Sequence, residues 1–236
     1  MTRGARKLTR MMSEEERAKL AASVIEETEE MKLFRYGPDG QVDLDLYRRL
    51  QTEANKMKID SQWVPEGHIR LLAEHVRAQG ATVAKGLCHG TRRGNEQQWF
   101  RLHLGAGADV IGTEISDTAT QFAHTIQWDF HEVDPAWVGA MDLIYSNSWD
   151  HSYDPEKAFA AWMSCLAPGG FLMLDHNWNY EPSRVDAMDP FGITEAGLVK
   201  MLDRVGDGIG RVVSVINGGA HNGIPIRTVI FRRDGP

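Results

Sequence analysis

Hydrophobic residues follow two different patterns in the two parts of the chain. Before residue 80 they recur at helical spacing within charged stretches, which predicts three helices, over residues 13–32, 43–58 and 65–80. Ser13 and Glu16 have the spacing of a capping box in the first helix, while Pro65 and Gly80 bracket the third. The segment 36–41, rich in Gly, Pro and Asp, predicts a turn between the first two helices.

After residue 80, short apolar runs alternate with helical segments. These runs predict seven strands, over residues 81–88, 108–115, 125–130, 141–147, 169–175, 211–217 and 225–233. Strands that alternate with helices form right-handed crossover units and a mostly parallel sheet with helices on both faces. The last two runs are joined only by "GGAHNG", so they predict a hairpin and an antiparallel terminal strand. The pattern predicts an α/β domain over residues 79–236 and a helical extension over residues 1–78, which we expect to act as a lid.

The composition narrows the classes of protein and partner. The 236 residues carry a formal net charge of −7, which disfavours a nucleic-acid groove, so no nucleic-acid partner is expected. No apolar run reaches the ~18 residues of a membrane span, and the basic start lacks the apolar segment of a signal peptide. Cys88 and Cys165 are too few for a disulfide framework. We therefore expect a cytoplasmic protein with reduced cysteines and no membrane partner, compatible with a homo-oligomer.

The loop after the first predicted strand is the first candidate for a ligand site. In open α/β sheets, ligands bind beyond the carboxyl ends of the strands. The loop has Gly86, Gly90 and Gly94 spaced four residues apart, which allows a ligand to approach the backbone closely. This spacing does not match the G-x-G-x-x-G of dinucleotide-binding proteins, so no nicotinamide cofactor is expected. On its own, the loop is equally compatible with a plain strand-to-helix turn.

Acidic residues at the ends of the next two strands favour a nucleoside ligand. Glu114 ends the second strand, twenty residues after Gly94, where a carboxylate can accept hydrogen bonds from both ribose hydroxyls. Asp129 ends the third strand and is placed to accept a hydrogen bond from an adenine amino group, with Trp128 or Phe130 against the ring. The three loops together predict an adenosine-containing ligand.

The order of these motifs resembles that of the class I S-adenosylmethionine-dependent methyltransferases, over roughly residues 80–236. The segments "DHSYDP" and "LAPGG" are similar to the motifs that, in this family, begin the helix after the fourth strand and turn into the fifth. The resemblance implies a Rossmann-like sheet flanked by helices, S-adenosylmethionine as the cofactor, and methyl transfer. Against the family's acid-x-Gly-x-Gly-x-Gly, "GLCHGTR" has Gly86, Cys88 and Arg92 in place of the acid and two glycines, with only Gly90 in register. Another residue must then hold the cofactor's ammonium group.

The resemblance implies that the loops after four strands bind the cofactor. The expected cofactor-binding residues are Cys88, His89, Gly90, Thr91, Arg92, Glu114, Ile115, Asp129, Phe130, Ser146 and Asn147. Arg92 or Arg93 is the candidate to bind the methionine carboxylate, through a charge-assisted fork. For Cys88, burial as a small side chain is favoured over a redox or nucleophilic role.

Residues after the fourth and fifth strands are the candidates for catalysis. A hydroxyl acceptor needs a base, and His151, His176 and Asp150 are expected at the ligand edge of the sheet. "NSWDH" resembles the E-x-x-E-H metal motif of some methyltransferases, but Asn147 replaces the first acid, and no metal is expected. Four aromatic residues are expected to line an acceptor pocket: Trp63, Trp149, Trp178 and Tyr180.

Three functions remain open on the sequence. The leading one is a methyltransferase that acts on a small-molecule acceptor, at a hydroxyl group. A nucleic-acid or protein methyltransferase is the second, but it would need an open basic face, which the net charge disfavours. The third is a protein that binds S-adenosylmethionine without catalysis, suggested by the departures in the glycine motif.

Overall fold

The computed structural model describes residues 11–38 and 40–235; residues 1–10 of the predicted extension lie outside this part. Its α-helices are α1 (Glu14–Ala21), α2 (Leu44–Met57), α3 (Glu66–Ala78), α4 (Asn95–Leu104), α5 (Pro155–Cys165) and α6 (Glu195–Val205). Its β-strands are β1 (Ile25–Glu27), β2 (Met31–Phe34), β3 (Lys85–His89), β4 (Asp109–Glu114), β5 (Thr125–Gln127), β6 (Met141–Ser146), β7 (Leu166–His176), β8 (Phe191–Ile193), β9 (Gly210–His221) and β10 (Ile224–Arg233). Short 3₁₀ helices cover Asp117–Gln121, Pro135–Trp137, Trp149–His151, Trp178–Tyr180 and Pro182–Arg184. No helix in the described ranges is long and apolar enough to cross a membrane.

Seven strands form the central sheet, in the order β5-β4-β3-β6-β7-β10-β9. β3 pairs in parallel with both β4 and β6, β4 with β5, and β6 with β7. β10 runs antiparallel to both β7 and β9. Leu143, Ile144 and Tyr145 are consecutive in β6 and all buried, because helices cover both faces of the sheet. The predicted α/β, Rossmann-like sheet of seven strands with an antiparallel terminal strand is confirmed.

The helices before the central sheet follow the capping signals of the sequence. Ser13 caps α1 and forms the predicted capping box with Glu16. Asp43 caps α2 through its side chain. The bounds of α2 and α3 confirm the helices predicted over residues 43–58 and 65–80.

The helix predicted over residues 13–32 is wrong beyond Ala21. The chain instead forms the antiparallel pair β1–β2, and β2 also pairs antiparallel with β8, in a separate three-stranded sheet. Leu33 in β2 is only 2% exposed and packs in the core cluster that also contains side chains of β8 and α6. One of the two partners of β2, the strand β8, lies far along the chain, so the local spacing of charged and apolar residues could not reveal the strand.

A cluster of buried side chains places α2 against the loops at the carboxyl edge of the central sheet. Its members are Met12, Tyr36, Leu46, Tyr47, Leu50, Ala54, Tyr153 and Met188. Gln51 of α2 donates to the Tyr36 hydroxyl at 3.2 Å and to the Met188 carbonyl at 3.1 Å. These contacts join α2 to the loops that follow β6 and β7. The division into a lid over residues 1–78 and a domain over residues 79–236 stays a prediction.

Candidate active site

The loop between β3 and α4 contains three residues with left-handed backbone angles. Gly90, Arg92 and Gly94 have φ values of 73°, 41° and 71°. A Cβ at Gly90 would lie 2.6 Å from the Ser148 Cβ, so the close approach of these two loops requires glycine. The N–H of Gly90 donates to the Thr113 carbonyl at 2.8 Å, which ties the loop to β4. The loop is therefore a fixed cradle at the carboxyl edge of the sheet.

The left-handed residues also define the register of the glycine motif. They are spaced two apart, as the glycines are in acid-x-Gly-x-Gly-x-Gly, so Gly90, Arg92 and Gly94 occupy the three glycine positions. Cys88, and not Gly86, then stands at the position of the acid. The register inferred from the sequence, which kept only Gly90, begins the motif two residues earlier in β3, and the backbone angles favour the later register.

Glu114 lies at the end of β4 beside this loop. The residue is 6% exposed; Oε2 accepts a hydrogen bond from the Arg92 N–H at 3.0 Å, and Oε1 accepts one from the Ser116 N–H at 3.2 Å. Burial raises the pKa of the Glu114 carboxyl, and these hydrogen bonds oppose the shift. A carboxylate has about four acceptor sites, so Glu114 can still accept hydrogen bonds from a ligand.

Asp129 is oriented by a histidine that lies two residues further along the chain. Its Oδ1 accepts a hydrogen bond from the His131 N–H at 3.1 Å and pairs with His131 Nδ1 at 2.7 Å. His131 Nε2 pairs with Ser152 Oγ at 2.7 Å, and the ring stacks on Tyr153 with centroids 3.8 Å apart. Because both ring nitrogens of His131 are held, the Asp129 carboxylate keeps one orientation. Its Oδ2, 3.5 Å from Arg48, is left for the predicted contact with adenine.

A small cavity, the first cavity, lies between these side chains and α2. It is lined by Tyr47, Gln51, Ala54, Asn55, Lys58, Gly90, Arg92, Glu114, Ile115, Asp129, Phe130, Ser148 and His151. The lining includes six predicted cofactor-binding residues, with Phe130 rather than Trp128 facing the cavity. Its volume is about 40 Å³, far below the roughly 300–1,000 Å³ of pockets that hold small molecules. In this conformation the cavity is smaller than a nucleoside, and α2 covers it.

A second cavity, of about 390 Å³, adjoins the first. It is lined by Lys58, Ser61, Trp63, Arg92, Asn147, Ser148, Asp150, His151, Asn179, Tyr180, Arg184, Met188 and Asp189. Four residues line both cavities: Lys58, Arg92, Ser148 and His151. The second cavity has the size of a small-molecule pocket and lies next to the space that the adenosine-binding candidates surround.

His151 lies between the two cavities with its tautomer fixed. Nδ1 is 2.8 Å from the Met188 carbonyl oxygen. A carbonyl oxygen only accepts, so Nδ1 carries the proton and Nε2 carries the lone pair. Burial lowers the pKa of the His151 imidazole, while Asp189, whose Oδ1 is 3.6 Å from Nδ1, opposes that shift. The ring is therefore neutral at pH 7 and can accept a proton at Nε2.

Asp150 forms a cluster with His151 and Asp189 at the wall of the second cavity. Asp150 is 8% exposed, and its Oδ1 has no hydrogen-bond partner. Burial and the charge of Asp189 raise the pKa of Asp150 well above its ordinary value. Each of the three residues offers one ligand atom within 4.8 Å of the others, so together they could hold a divalent cation. Lys58 Nζ, 3.7 Å from Asp189 Oδ1, already places a positive charge at this cluster.

His176 does not reach these cavities, in contrast to its expected role as a base. Its Nε2 is 2.7 Å from the Ile193 carbonyl oxygen and donates to it. The residue is 3% exposed, and its ring lies parallel to that of Trp149 with centroids 6.0 Å apart. His176 therefore links the end of β7 to β8, and its position is structural.

Three of the expected cofactor-binding residues lie buried beneath the loops. Cys88 is fully buried in an apolar core cluster. His89 pairs through Nδ1 with Thr113 Oγ1 at 2.8 Å and stacks on Trp162 with centroids 4.7 Å apart. Ser146 donates to the His89 carbonyl at 3.1 Å. These residues brace the loops and line neither cavity.

The aromatic residues expected around an acceptor divide into two groups. Trp63 and Tyr180 line the second cavity, and the Tyr180 hydroxyl donates to the Asn147 carbonyl at 2.6 Å. Trp149 is fully buried in the core, while Trp178 is 56% exposed outside the cavity. Two of the four aromatic residues therefore line the cavity as expected. The other two do not, because the 3₁₀ helices that contain them direct Trp149 into the core and Trp178 towards solvent.

A third, smaller cavity contains an acid that nothing in the sequence distinguished. It is lined by Ser61, Gln62, Trp63, Gly90, Thr91, Arg92, Glu96, Asn147 and Ser148, which include the expected residues Thr91 and Asn147. Glu96, in the first turn of α4, is 4% exposed. Its Oε1 accepts a hydrogen bond from Gln62 Nε2 at 3.0 Å, while Oε2 is buried without a partner. Acids are common in the first turn of a helix, so the sequence pattern alone carried no signal here.

The sequence itself matches one protein-family model. Residues 87–174 match the model described as "Methyltransferase domain". This range runs from β3 to β7 and contains the glycine loop, Glu114, Asp129 and His151. No curated protein matches the chain.

Several solved structures with a similar fold are methyltransferases. The 1,6-didemethyltoxoflavin-N1-methyltransferase of Burkholderia thailandensis is 15% identical, with a TM-score of 0.60 over 89% of this chain and 99% of that chain. The N-methyltransferase NodS of Bradyrhizobium japonicum is 14% identical, with a TM-score of 0.57 over 78% and 98%. A SAM-dependent methyltransferase of Aquifex aeolicus is 15% identical, with a TM-score of 0.55 over 75% and 97%. Residues 87–174 therefore match the methyltransferase-domain family, and the chain shares the Rossmann-like fold of these solved methyltransferases.

Proposed function

We propose that the protein transfers the methyl group of S-adenosylmethionine to a hydroxyl group of a small molecule. The observation that carries the proposal is the position of His151, which borders both the first and the second cavity and has its lone pair on Nε2. In this proposal the first cavity, once open, receives the adenosine, and the second receives the acceptor.

The side chains around the first cavity suit an adenosine. Glu114 offers acceptor sites to the ribose hydroxyls, and Asp129 offers Oδ2 to the adenine amino group. Ile115 and Phe130 offer apolar surfaces to the ring. The toxoflavin-type relative and NodS were both crystallised with S-adenosylhomocysteine, which supports the same cofactor for this chain.

Methyl transfer to a hydroxyl group requires the protein to align the acceptor with the methyl group and to provide a base. S-adenosylmethionine supplies a methyl group on a positively charged sulfur, which needs no further activation. The enclosing residues align the acceptor and exclude water, a task that suits a covering helix such as α2. A hydroxyl acceptor also loses its proton as its oxygen bonds to the methyl carbon. His151 Nε2 accepts this proton, and Asp189, 3.6 Å from Nδ1, stabilises the imidazolium that forms.

An amine acceptor is the second candidate, because two of the relatives are N-methyltransferases. The same base would serve an ammonium group, which also has to lose a proton before it reacts. The charges around the second cavity argue for a different acceptor. Lys58, Arg92 and Arg184 face two acids there, Asp150 and Asp189. This excess of positive side chains favours a neutral or anionic hydroxyl compound over a cationic amine.

The test is methyl transfer from S-adenosylmethionine with a deuterated methyl group to a panel of phenols, hydroxy acids and amines, read by mass spectrometry. We expect the label on the oxygen of neutral or anionic acceptors. Label on amines alone would refute the hydroxyl assignment. Calorimetry that detects no binding of S-adenosylhomocysteine would refute the cofactor assignment.

A further inference from the structure

We propose that the Glu96 carboxylate binds the ammonium group of the cofactor's methionine moiety, in place of the acid that the family motif carries at the end of its first strand. The inference rests on the proposed function, since it assumes that the chain binds S-adenosylmethionine. It assigns a role to a residue of α4 that lies outside the motif.

The position of the third cavity supports this assignment. The cavity shares Gly90, Arg92 and Ser148 with the first cavity, and Trp63 and Asn147 with the second. It therefore borders both the proposed adenosine site and the proposed acceptor site. A cofactor with its adenosine in the first cavity and its methyl group facing the second has its amino-acid moiety close to this third space.

The hydrogen bonds of Glu96 leave one carboxylate oxygen for a ligand. Oε1 accepts from Gln62 Nε2 at 3.0 Å, and Gln62 Oε1 accepts in turn from Asn95 Nδ2 at 2.7 Å. This chain of contacts holds the carboxylate in one orientation. Oε2 is buried without a partner, which is a costly state for a carboxylate oxygen. An ammonium group has three donors and a positive charge, so it can satisfy Oε2.

The position of Cys88 explains why a substitute is needed. Cys88 stands at the acid position of the motif, but its thiol is fully buried and carries no charge at neutral pH. Burial raises the pKa of this thiol, and the nearby charge of Glu96 raises it further. The negative charge of the motif has moved from the strand to the first turn of α4.

Glu96 binding an ammonium group makes cofactor affinity depend on pH near neutrality. Burial raises the pKa of Glu96 to about 7, the Gln62 hydrogen bond and the Arg92 charge oppose this shift, and Asp175 adds to it. The other titratable groups that face it are Cys88 in β3 and Tyr145 in β6. Only the ionised carboxylate pairs with an ammonium group. At a pH below the pKa of Glu96 in the unbound protein, cofactor binding must therefore release the carboxyl proton. Affinity should therefore fall about tenfold between pH 8 and pH 6.

Calorimetry with two ligands tests the assignment. The probes are S-adenosylhomocysteine and 5′-methylthioadenosine, which has the same adenosine and thioether but no amino-acid group. The variants are Glu96→Gln, which keeps the shape and removes the charge, and the control Glu74→Gln, an exposed acid of α3. We expect Glu96→Gln to bind S-adenosylhomocysteine about 10- to 100-fold more weakly and methylthioadenosine as the wild type does, with Glu74→Gln unchanged.

Each outcome has a separate meaning. Equal binding of S-adenosylhomocysteine by the wild type and Glu96→Gln would overturn the assignment and leave the proposed function intact. Equal weakening of both ligands would also overturn it, because Glu96 would then support the loop instead of binding the ammonium group. Binding of neither ligand by the wild type would overturn the proposed function and the inference with it.

The pH dependence gives a second, independent readout. The affinity of the wild type for S-adenosylhomocysteine should fall from pH 8 to pH 6. The affinity of Glu96→Gln for S-adenosylhomocysteine should stay nearly constant over this range, as should the affinity of the wild type for methylthioadenosine. A pH dependence that survives in Glu96→Gln would assign the titration to another group and contradict the inference.

Discussion

Replacing His151 by alanine separates the two roles open to this residue, a base and a support for the loop after β6. The substitution removes the Nε2 lone pair between the cavities and the hydrogen bond from Nδ1 to the Met188 carbonyl. The Tyr47 hydroxyl still donates to the backbone carbonyl of residue 151 at 3.1 Å. The loop therefore keeps its link to α2, and the main loss is the base.

The expected magnitudes differ for the two roles. General-base catalysis is typically worth about 10²–10⁴ in rate, so kcat at saturating cofactor should fall by that factor in His151→Ala. The lost hydrogen bond to Met188 should lower the free energy of unfolding by only about 0.5–1.5 kcal/mol. Cofactor affinity should stay almost unchanged, because the residues proposed to bind the adenosine are untouched. A residue that only braces the loop would show the opposite result, with lower stability and near-normal kcat.

His176→Ala is the matched control for the assay. His176 donates to the Ile193 carbonyl in a buried setting, so its loss should lower the free energy of unfolding by about 1–3 kcal/mol. Turnover at saturating cofactor should stay close to that of the wild type. Full kcat in both variants would mean that alignment alone carries the reaction. Loss of kcat in His176→Ala alone would refute the assignment of the base.

The pH profile of kcat checks the same assignment by a different route. The base form of His151 is the neutral imidazole, and burial lowers its pKa below the ordinary 6.5. His151 is therefore protonated, and inactive as a base, only at a pH lower than that at which an ordinary histidine is protonated. At saturating cofactor we expect kcat to be flat around pH 7 and to fall with an inflection below 6.5, and this acidic limb should be absent in His151→Ala. An inflection above 6.5 would contradict the buried, neutral state of His151.

Three further predictions concern cofactor binding and metal. Glu114→Ala should weaken binding of S-adenosylhomocysteine by about 1.5–3 kcal/mol in calorimetry, since hydrogen bonds to a charged acceptor are lost; unchanged affinity would remove its ribose assignment. His131→Ala frees Asp129 to rotate and should cost about 0.5–1.5 kcal/mol of the same affinity with kcat at saturation unchanged, whereas a drop in kcat would place His131 in the reaction. Chelation by EDTA should leave turnover unchanged, because Lys58 already offers a positive charge to Asp189; activity lost on chelation and restored by Mg²⁺ would establish a metal site.

The sequence predicts the central sheet well because its strands are short, apolar and regularly alternated with helices. Burial on both faces makes the centres of β6 and β7 apolar, and the glycine-rich connection at 218–223 leaves room only for a hairpin. The strands β1, β2 and β8 escape prediction for a different reason. They are three or four residues long, and five strands of the central sheet, β3 to β7, separate β2 from its partner β8 in the sequence.

The same contrast explains which site residues the sequence could indicate. Glu114 ends β4 and Asp129 follows β5 by two residues, so the topology of the sheet alone brings both to the ligand edge. His176 also ends a strand, but the pairing of its imidazole with β8 takes it out of the site. Glu96 and His131 act through contacts with distant loops, at Gln62 and Ser152, which no local pattern encodes.

The loop after β3 departs from the family motif at two positions, and the two departures are physically linked. Arg92 replaces the second glycine and has a φ of 41°, a conformation that costs roughly 1–2 kcal/mol for a residue with a side chain. Its N–H donates to Glu114 and its guanidinium to the Ser61 carbonyl, both at 3.0 Å, and these contacts hold the strained backbone in place. The positive side chain of Arg92 borders all three cavities, while Cys88 has removed the negative charge of the motif and Glu96 restores it in α4. The amino-acid moiety of the cofactor carries one positive and one negative charge. With Arg92 and without an acid, the site would match only the carboxylate of that moiety. Glu96 supplies the negative charge that matches its ammonium group.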